Sequence, residues 1–221
     1  MAIDKSHTSP LMKTGIILLA ATFVLGIGFA GISGMQGCSA AAPLLPGSGT
    51  TQNSTTPAST DTTASLQAKY APQVAALEAS LTASPKDYNL LVAQGNLYLD
   101  WANASQNVLQ STSPTSNPLW AKASTYYARA LAIQATAAPV LGDYGISLFF
   151  SGDTSAAIAA GEKSRVIDPK LDVNLFMLGQ YYGASGDKAK AIEAFQAYLK
   201  VSPNGQMATQ AQQNITQLNT Q

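Results

Sequence analysis

The apolar residues of this chain fall into two regimes. From Ile16 to Met35 they form an almost unbroken block of Ile, Leu, Val, Phe, Ala and Gly without a single charge. At about 1.5 Å per helical residue such a block reaches about 30 Å, the thickness of a bilayer core. From Leu66 onwards apolar residues instead recur every three or four positions among Gln, Asn, Ser and Lys, the period of amphipathic helices. Between the two, residues 39–65 hold 12 Ser or Thr, Pro43, Pro46, Pro57 and one charge, Asp61. Nothing there can build a core, so a disordered tether is expected, with a root-mean-square reach of roughly 30 Å. The pattern therefore predicts a polar tail over 1–13, a membrane-spanning helix within 14–37, a tether over 38–65 and an all-α module over 66–221.

Within the module the pattern repeats itself. Leu141-Gly142-Asp143-Tyr144-Gly145 aligns with Leu175-Phe176-Met177-Leu178-Gly179 at a shift of 34 residues. At the same shift Gly152-Asp153 falls on Gly186-Asp187, Ala157-Ile158 on Ala191-Ile192, and Asp168-Pro169 on Ser202-Pro203. Leu175, Leu178, Gly179 and Tyr182 line one face of a first helix, and Gly186 supplies the left-handed residue of a tight turn. Ala191, Ile192, Phe195 and Leu199 line a second helix, which Pro203 stops.

Counting back from Leu141, residues Leu91, Gly95 and Tyr98 start an earlier unit whose second helix runs through Ala123, Tyr127, Ala130 and Leu131. Its halves stand 16 residues too far apart for the period. That unit thus carries an insertion, 103–118, whose Ser, Thr and Pro residues suit turns and a helix start. Val74, Leu77, Leu81 and Pro85 read as the second helix of a half-unit, and Ala208, Ala211, Ile215 and Leu218 as a closing helix that is polar elsewhere. The expected order is a leading helix 66–84, units 88–137, 138–171 and 172–205, and a capping helix 207–219.

A 34-residue helix–turn–helix period is that of the tetratricopeptide repeat (TPR), whose units stack into a solenoid. Gly179, Tyr182, Ala191, Phe195 and Pro203 stand where that family keeps its Gly, Tyr, Ala, Phe and Pro, so the unit resembles it. The resemblance implies that first helices of successive units line a concave groove. Its inward positions here are Asn89, Val92, Asn96 and Leu99, then Gly142, Ile146 and Phe149, then Val173, Phe176 and Gln180. The family's carboxylate clamp needs Lys and Arg on that surface. Asn96 matches one of its Asn positions, but Val92, Val173 and Met177 replace the cationic ones. A peptide or partner helix of apolar character is expected rather than a C-terminal carboxylate, with Phe149 and Phe176 as anchors.

Charge and composition narrow the picture. The 221 residues carry 12 basic and 12 acidic side chains, so the net charge is zero and no nucleic acid is implied as partner. Lys5 and Lys13 precede the apolar block, and no charge follows it until Asp61. The positive-inside rule then keeps the N-terminus in the cytoplasm and the module outside, at a bacterial cytoplasmic membrane. Gly37-Cys38 closes the block and is similar to the end of a bacterial lipoprotein signal, although Gln36 stands where that motif has a small residue. Either a retained single-pass helix or a lipidated Cys38 tethers the module.

No catalytic set is visible. One His and one Cys exclude a Cys/His metal cage or an internal disulfide, and no cofactor is expected. His7 precedes the membrane block, and no phosphate loop, GxSxG or HExxH occurs. Asp87, Asp100, Asp143, Asp153, Glu162, Asp168, Asp172, Asp187 and Glu193 are scattered and read as caps and solvated positions. The expectation is a non-enzymatic, membrane-tethered extracytoplasmic scaffold. In layout it resembles the membrane-anchored TPR subunits of cytochrome c-type biogenesis. The alternative is a lipoprotein assembly factor for outer-membrane or pilus biogenesis.

Overall fold

The computed structural model describes residues 62–109 and 118–220. The tail 1–13, the apolar segment 14–37, Cys38, nearly all of the tether and the centre of the insertion lie outside the described residues. Among the described residues no helix is long and apolar enough to cross a membrane.

These residues form eight helices and no strand: α1 (Thr63–Ala83), α2 (Tyr88–Leu109), α3 (Pro118–Ile133), α4 (Ala138–Phe150), α5 (Thr154–Ile167), α6 (Asp172–Ser185), α7 (Lys188–Val201) and α8 (Ala208–Thr220). Each helix packs on the next, and the first helices also touch one another, α2 on α4 and α4 on α6. Short connections between antiparallel neighbours produce this one-dimensional stack.

The repeat is written into the turns. Gly152 and Gly186 take φ of 96° and 87°, closing α4 and α6 in the left-handed region. Each is followed by an aspartate that caps the next helix: Asp153 Oδ1 accepts from the Ala156 N–H at 3.0 Å, and Asp187 Oδ1 from the Lys190 N–H at 3.1 Å. The second helices end alike too. The N–H groups of Ser84, Asp168 and Ser202 each donate to a carbonyl four residues back, and a proline follows each one. Residue 84 thus ends α1 as 168 and 202 end α5 and α7, which makes α1 the second helix of a half-unit.

Side chains keep the same register. Ala123, Ala157 and Ala191, one per unit, are fully buried where the two helices of a hairpin approach. The Tyr98 hydroxyl donates to Glu78 Oε1 at 3.2 Å, and Tyr182 donates to Glu162 Oε1 at 2.8 Å, joining each first helix to the helix before it. Burial and the neighbouring glutamate push both phenols up to about 12. The middle unit has Leu148 and Ala128 at these places and makes the contact without a hydrogen bond.

Two departures from the expected layout have physical causes. The capping box of Thr62 and Ser65 starts α1 inside the stretch read as tether, since Thr62 Oγ1 accepts from the Ser65 N–H and Ser65 Oγ from the Thr62 N–H. The first half of the insertion, Asn103–Leu109, is helix rather than turn. It carries α2 on to 22 residues, because neither Gly nor Pro interrupts it and buried Ala102 and Ser105 continue the stripe of Tyr98. Trp101 stacks on Tyr70 at 5.7 Å, while Trp120 is fully buried and stacks on Phe150 at 4.5 Å. The two tryptophans flanking the insertion are therefore packing residues of α2 and α3.

Candidate protein-binding face

The candidate site is built on the first helices α2, α4 and α6. Glycines let rings from the second helices cross beneath them. A Cβ at Gly95 would fall 2.7 Å from Tyr127 Cε1, and one at Gly179 2.5 Å from Phe195 Cε1. Crossing under Gly95 brings the Tyr127 hydroxyl to Asn96, where it donates to Oδ1 at 2.7 Å. Burial, then the charges of Asp143 and Asp100, hold the Tyr127 phenol protonated far above its ordinary range. Its proton thus stays on the hydrogen bond, which fixes the Asn96 side chain with its amide group free to donate outward.

The inward positions expected from the repeat divide into two groups. Asn89 and Asn96 are exposed, and Val92, Leu99, Ile146 and Phe149 are half-buried. Phe149 lies tilted against Tyr181 at 4.9 Å and edge-on to Phe150 at 5.3 Å. Gly142 is buried and Val173 is 42% exposed. Phe176 and Gln180 do not belong to an open surface: their exposures are 0% and 2%. α6 is buried without interruption from Asn174 to Tyr182, and Phe176 is held edge-on by Phe195 at 5.5 Å and Tyr198 at 5.6 Å. The expected anchor Phe176 is therefore a core residue. The cause is Tyr198, which replaces a small residue (Ala130 in α3, Ser164 in α5) and extends the aromatic core beneath α6.

What the sequence reading passed over are Asp100 and Asp143. Asp87, Asp153, Asp168, Asp172 and Asp187 do accept hydrogen bonds from backbone N–H groups at helix starts or turns. Asp100 and Asp143 lie within α2 and α4, and among the described residues neither carboxylate has a hydrogen bond or an ion pair. Burial and the nearby charge of Asp100 raise Asp143 to about 6. Asp100 is raised as well, by burial, with Lys69 on α1 pulling the other way. A groove of ≈ 500 Å³ between α1 and α2, lined by Gln73, Leu77, Ala93, Asn96, Leu97 and Asp100, opens beside them. The available signal was position: both acids follow apolar residues inside a helix, away from any terminus that could use them as caps.

The helical hairpins repeating at 34 residues, with matching caps, small-residue contacts and tyrosine–glutamate links, define a TPR-type solenoid. No protein-family model matches the sequence, and no curated protein matches it. Solved structures do. One crystal structure of the MamA protein overlays with a TM-score of 0.59 at 20% identity, covering 70% of this chain and 74% of that one. A second MamA structure overlays with a TM-score of 0.58 at 19% identity, covering 72% of this chain and 84% of that one. At such identities the likeness is one of fold. The overlay on the TPR domain of Sgt2 from Aspergillus fumigatus has a TM-score of 0.45 at 20% identity, over 57% of this chain and 78% of that one, too loose to bear on the reading.

Proposed function

We propose that the protein is a membrane-tethered scaffold whose solenoid, held outside the cytoplasm, binds a protein partner through the face of α2, α4 and α6. One observation carries the binding part. Half-open Leu99, Ile146 and Phe149 stand beside polar groups of Asn96, Asp100 and Asp143 that the module itself leaves unused. An interface core combines apolar anchors with a few directional polar groups in this way. Support for the tether comes from the charge-free block Ile16–Met35 with lysines before it.

A photo-crosslinking residue placed at Ile146 in membranes should yield a discrete crosslinked protein, and one at exposed Lys163 on α5 should not. Equal yields from both positions would refute the assignment of the face. A reporter active only outside the cytoplasm, fused after Gln221, should give signal, and activity of a cytoplasm-only reporter there would reverse the topology. Membrane retention of a Cys38→Ser variant separates a retained helix from a lipid anchor, since only the lipid requires the thiol.

A further inference from the structure

The charges of the module are segregated by helix. α2, α4 and α6 contain no lysine or arginine, whereas every lysine and arginine of the described residues lies on α1, α3, α5 or α7 or in a turn. Acids on the first helices are Asp100, Asp143 and Asp172. Asp172 is already engaged: its Oδ1 accepts from the Val173 N–H at 2.7 Å and its Oδ2 from the Ser202 hydroxyl at 2.7 Å. That leaves Asp100 and Asp143, two carboxylates near enough to feel each other, half sheltered from water and without a compensating cation on their own face. Such a pair is unfavourable in the empty protein and becomes favourable once a cation enters.

A second observation lies at the same place. Tyr181 of α6 is fully buried, and its hydroxyl has no hydrogen-bond partner among the described residues. The hydroxyl reaches the backbone of α4 at Gly145, 3.3 Å from where a Cβ would stand, within the field of Asp143. Around the carboxylates stand Leu99, Ile146 and Phe149, and the ≈ 500 Å³ groove beside α1 ends on Asn96 and Asp100. Apolar walls around two acids suit a basic side chain with apolar neighbours, because a long aliphatic stem packs on the walls while its charged head meets the carboxylates.

Building on the protein-binding reading above, we propose that this face is a receptor for a lysine or arginine carried on an apolar stretch of a partner protein. The cationic head sits between the Asp100 and Asp143 carboxylates. Its neighbours pack on Leu99, Ile146 and Phe149, and the Asn96 amide donates to the partner's backbone. Selection rests on charge: an apolar stretch without the cation leaves two sheltered carboxylates unpaired, and one carrying an acid is repelled.

The test uses the full chain in a non-ionic detergent and a labelled capped peptide, Ala-Leu-Phe-Lys-Leu-Val-Ala. Its analogues carry norleucine or glutamate in place of lysine. The lysine peptide should bind about tenfold or more tightly than the norleucine one, with the glutamate peptide weakest. Asp100→Asn combined with Asp143→Asn should erase the difference between lysine and norleucine, while Asp172→Asn should keep it. Lowering the pH through about 6 should also erase it, since protonation of Asp143 removes half of the receptor. The ionisable groups bearing on Asp143 are Asp100 of α2, Tyr127 of α3 and Tyr181 of α6, and neither phenol loses its proton in that range. Equal binding of lysine and norleucine peptides would overturn the cation receptor and leave an apolar protein-binding face. A preference that survives in the double variant would overturn it too, by placing the cation elsewhere. Failure of all three peptides to bind at up to about 1 mM, an affinity of only about 4 kcal/mol, would overturn both the receptor and the binding face.

Discussion

Removing the charge of Asp143 should stabilise the protein, and the gain should depend on pH. The carboxyl is raised from 3.8 to about 6 by burial and by Asp100. One pH unit corresponds to about 1.4 kcal/mol, so keeping Asp143 ionised at neutral pH costs the folded state about 3 kcal/mol. Because the folded-state pKa lies above the unfolded one, the folded protein holds the extra proton between these values. The contribution of this group to stability is therefore fully present below about pH 4 and lost as pH rises through about 6. Asp143→Asn keeps the shape and removes the charge. Its amide loses some solvation in the half-buried site, about 1–2 kcal/mol, which leaves a net gain of about 1–2 kcal/mol at neutral pH. For a module of this size that raises Tm by about 2–8 °C.

The assay is thermal unfolding of the full chain in detergent, followed by its helical circular dichroism, for wild type and variant across this pH range. Every other group titrates in both proteins, so the difference between them isolates Asp143. That difference should be near zero at about pH 4 and reach its full value by about pH 7. Asp100→Asn should capture part of the same gain, and the two substitutions should add to less than their sum because they relieve one shared repulsion. A variant no more stable than wild type at neutral pH would refute the reasoning. So would a gain of equal size at both ends of the range, since that would trace to packing rather than charge.

Three further outcomes follow from the packing. Gly179→Ala places a Cβ 2.5 Å from the Phe195 ring and should destabilise by about 1–3 kcal/mol, whereas a Cβ at Gly142 meets its nearest neighbour at 3.7 Å, so Gly142→Ala should be neutral or stabilising by up to about 1 kcal/mol; thermal melts of both variants check the contrast. Phe176→Ala opens the fully buried core and should cost about 3–5 kcal/mol, while Phe149→Ala, half-buried on the binding face, should cost less than half of that and lower peptide affinity, measured by melting and anisotropy together. Tyr182→Phe and Glu162→Gln each weaken the 2.8 Å link between α5 and α6, and a double-mutant cycle on unfolding free energy should return a coupling of about 0.5–1.5 kcal/mol.

Much of the architecture was legible in the sequence because repeats are local. A 34-residue unit is made by short-range rules: the left-handed Gly152 and Gly186, the capping Asp153 and Asp187, and the prolines that follow residues 84, 168 and 202. Each acts within a few residues of itself, so reading the chain in order recovers the helices and their alternation. The small residues Gly95, Gly179 and Ala191 could be assigned to helix contacts for the same reason. One boundary that failed, the stretch 103–109, failed because its residues favour neither helix nor turn strongly, and burial of Ala102 and Ser105 against neighbouring helices decided it.

The binding face was legible only in outline, because what a position presents depends on units the period does not specify. Phe149 and Phe176 both fall on inward positions of the repeat. Yet Phe149 stays half-open on α4, and Phe176 is taken into the core by Tyr198 on the following helix. Asp100 and Asp143 are separated by 43 residues and an insertion, and nothing local links them. Stacking α2 on α4 brings their charges together, with Tyr127 reaching from α3 and Tyr181 from α6. Helix formation is governed by neighbours in the chain, and the sequence by itself determined that much. Desolvation and charge coupling are governed by neighbours in space, so the character of the face was decided by the tertiary structure alone.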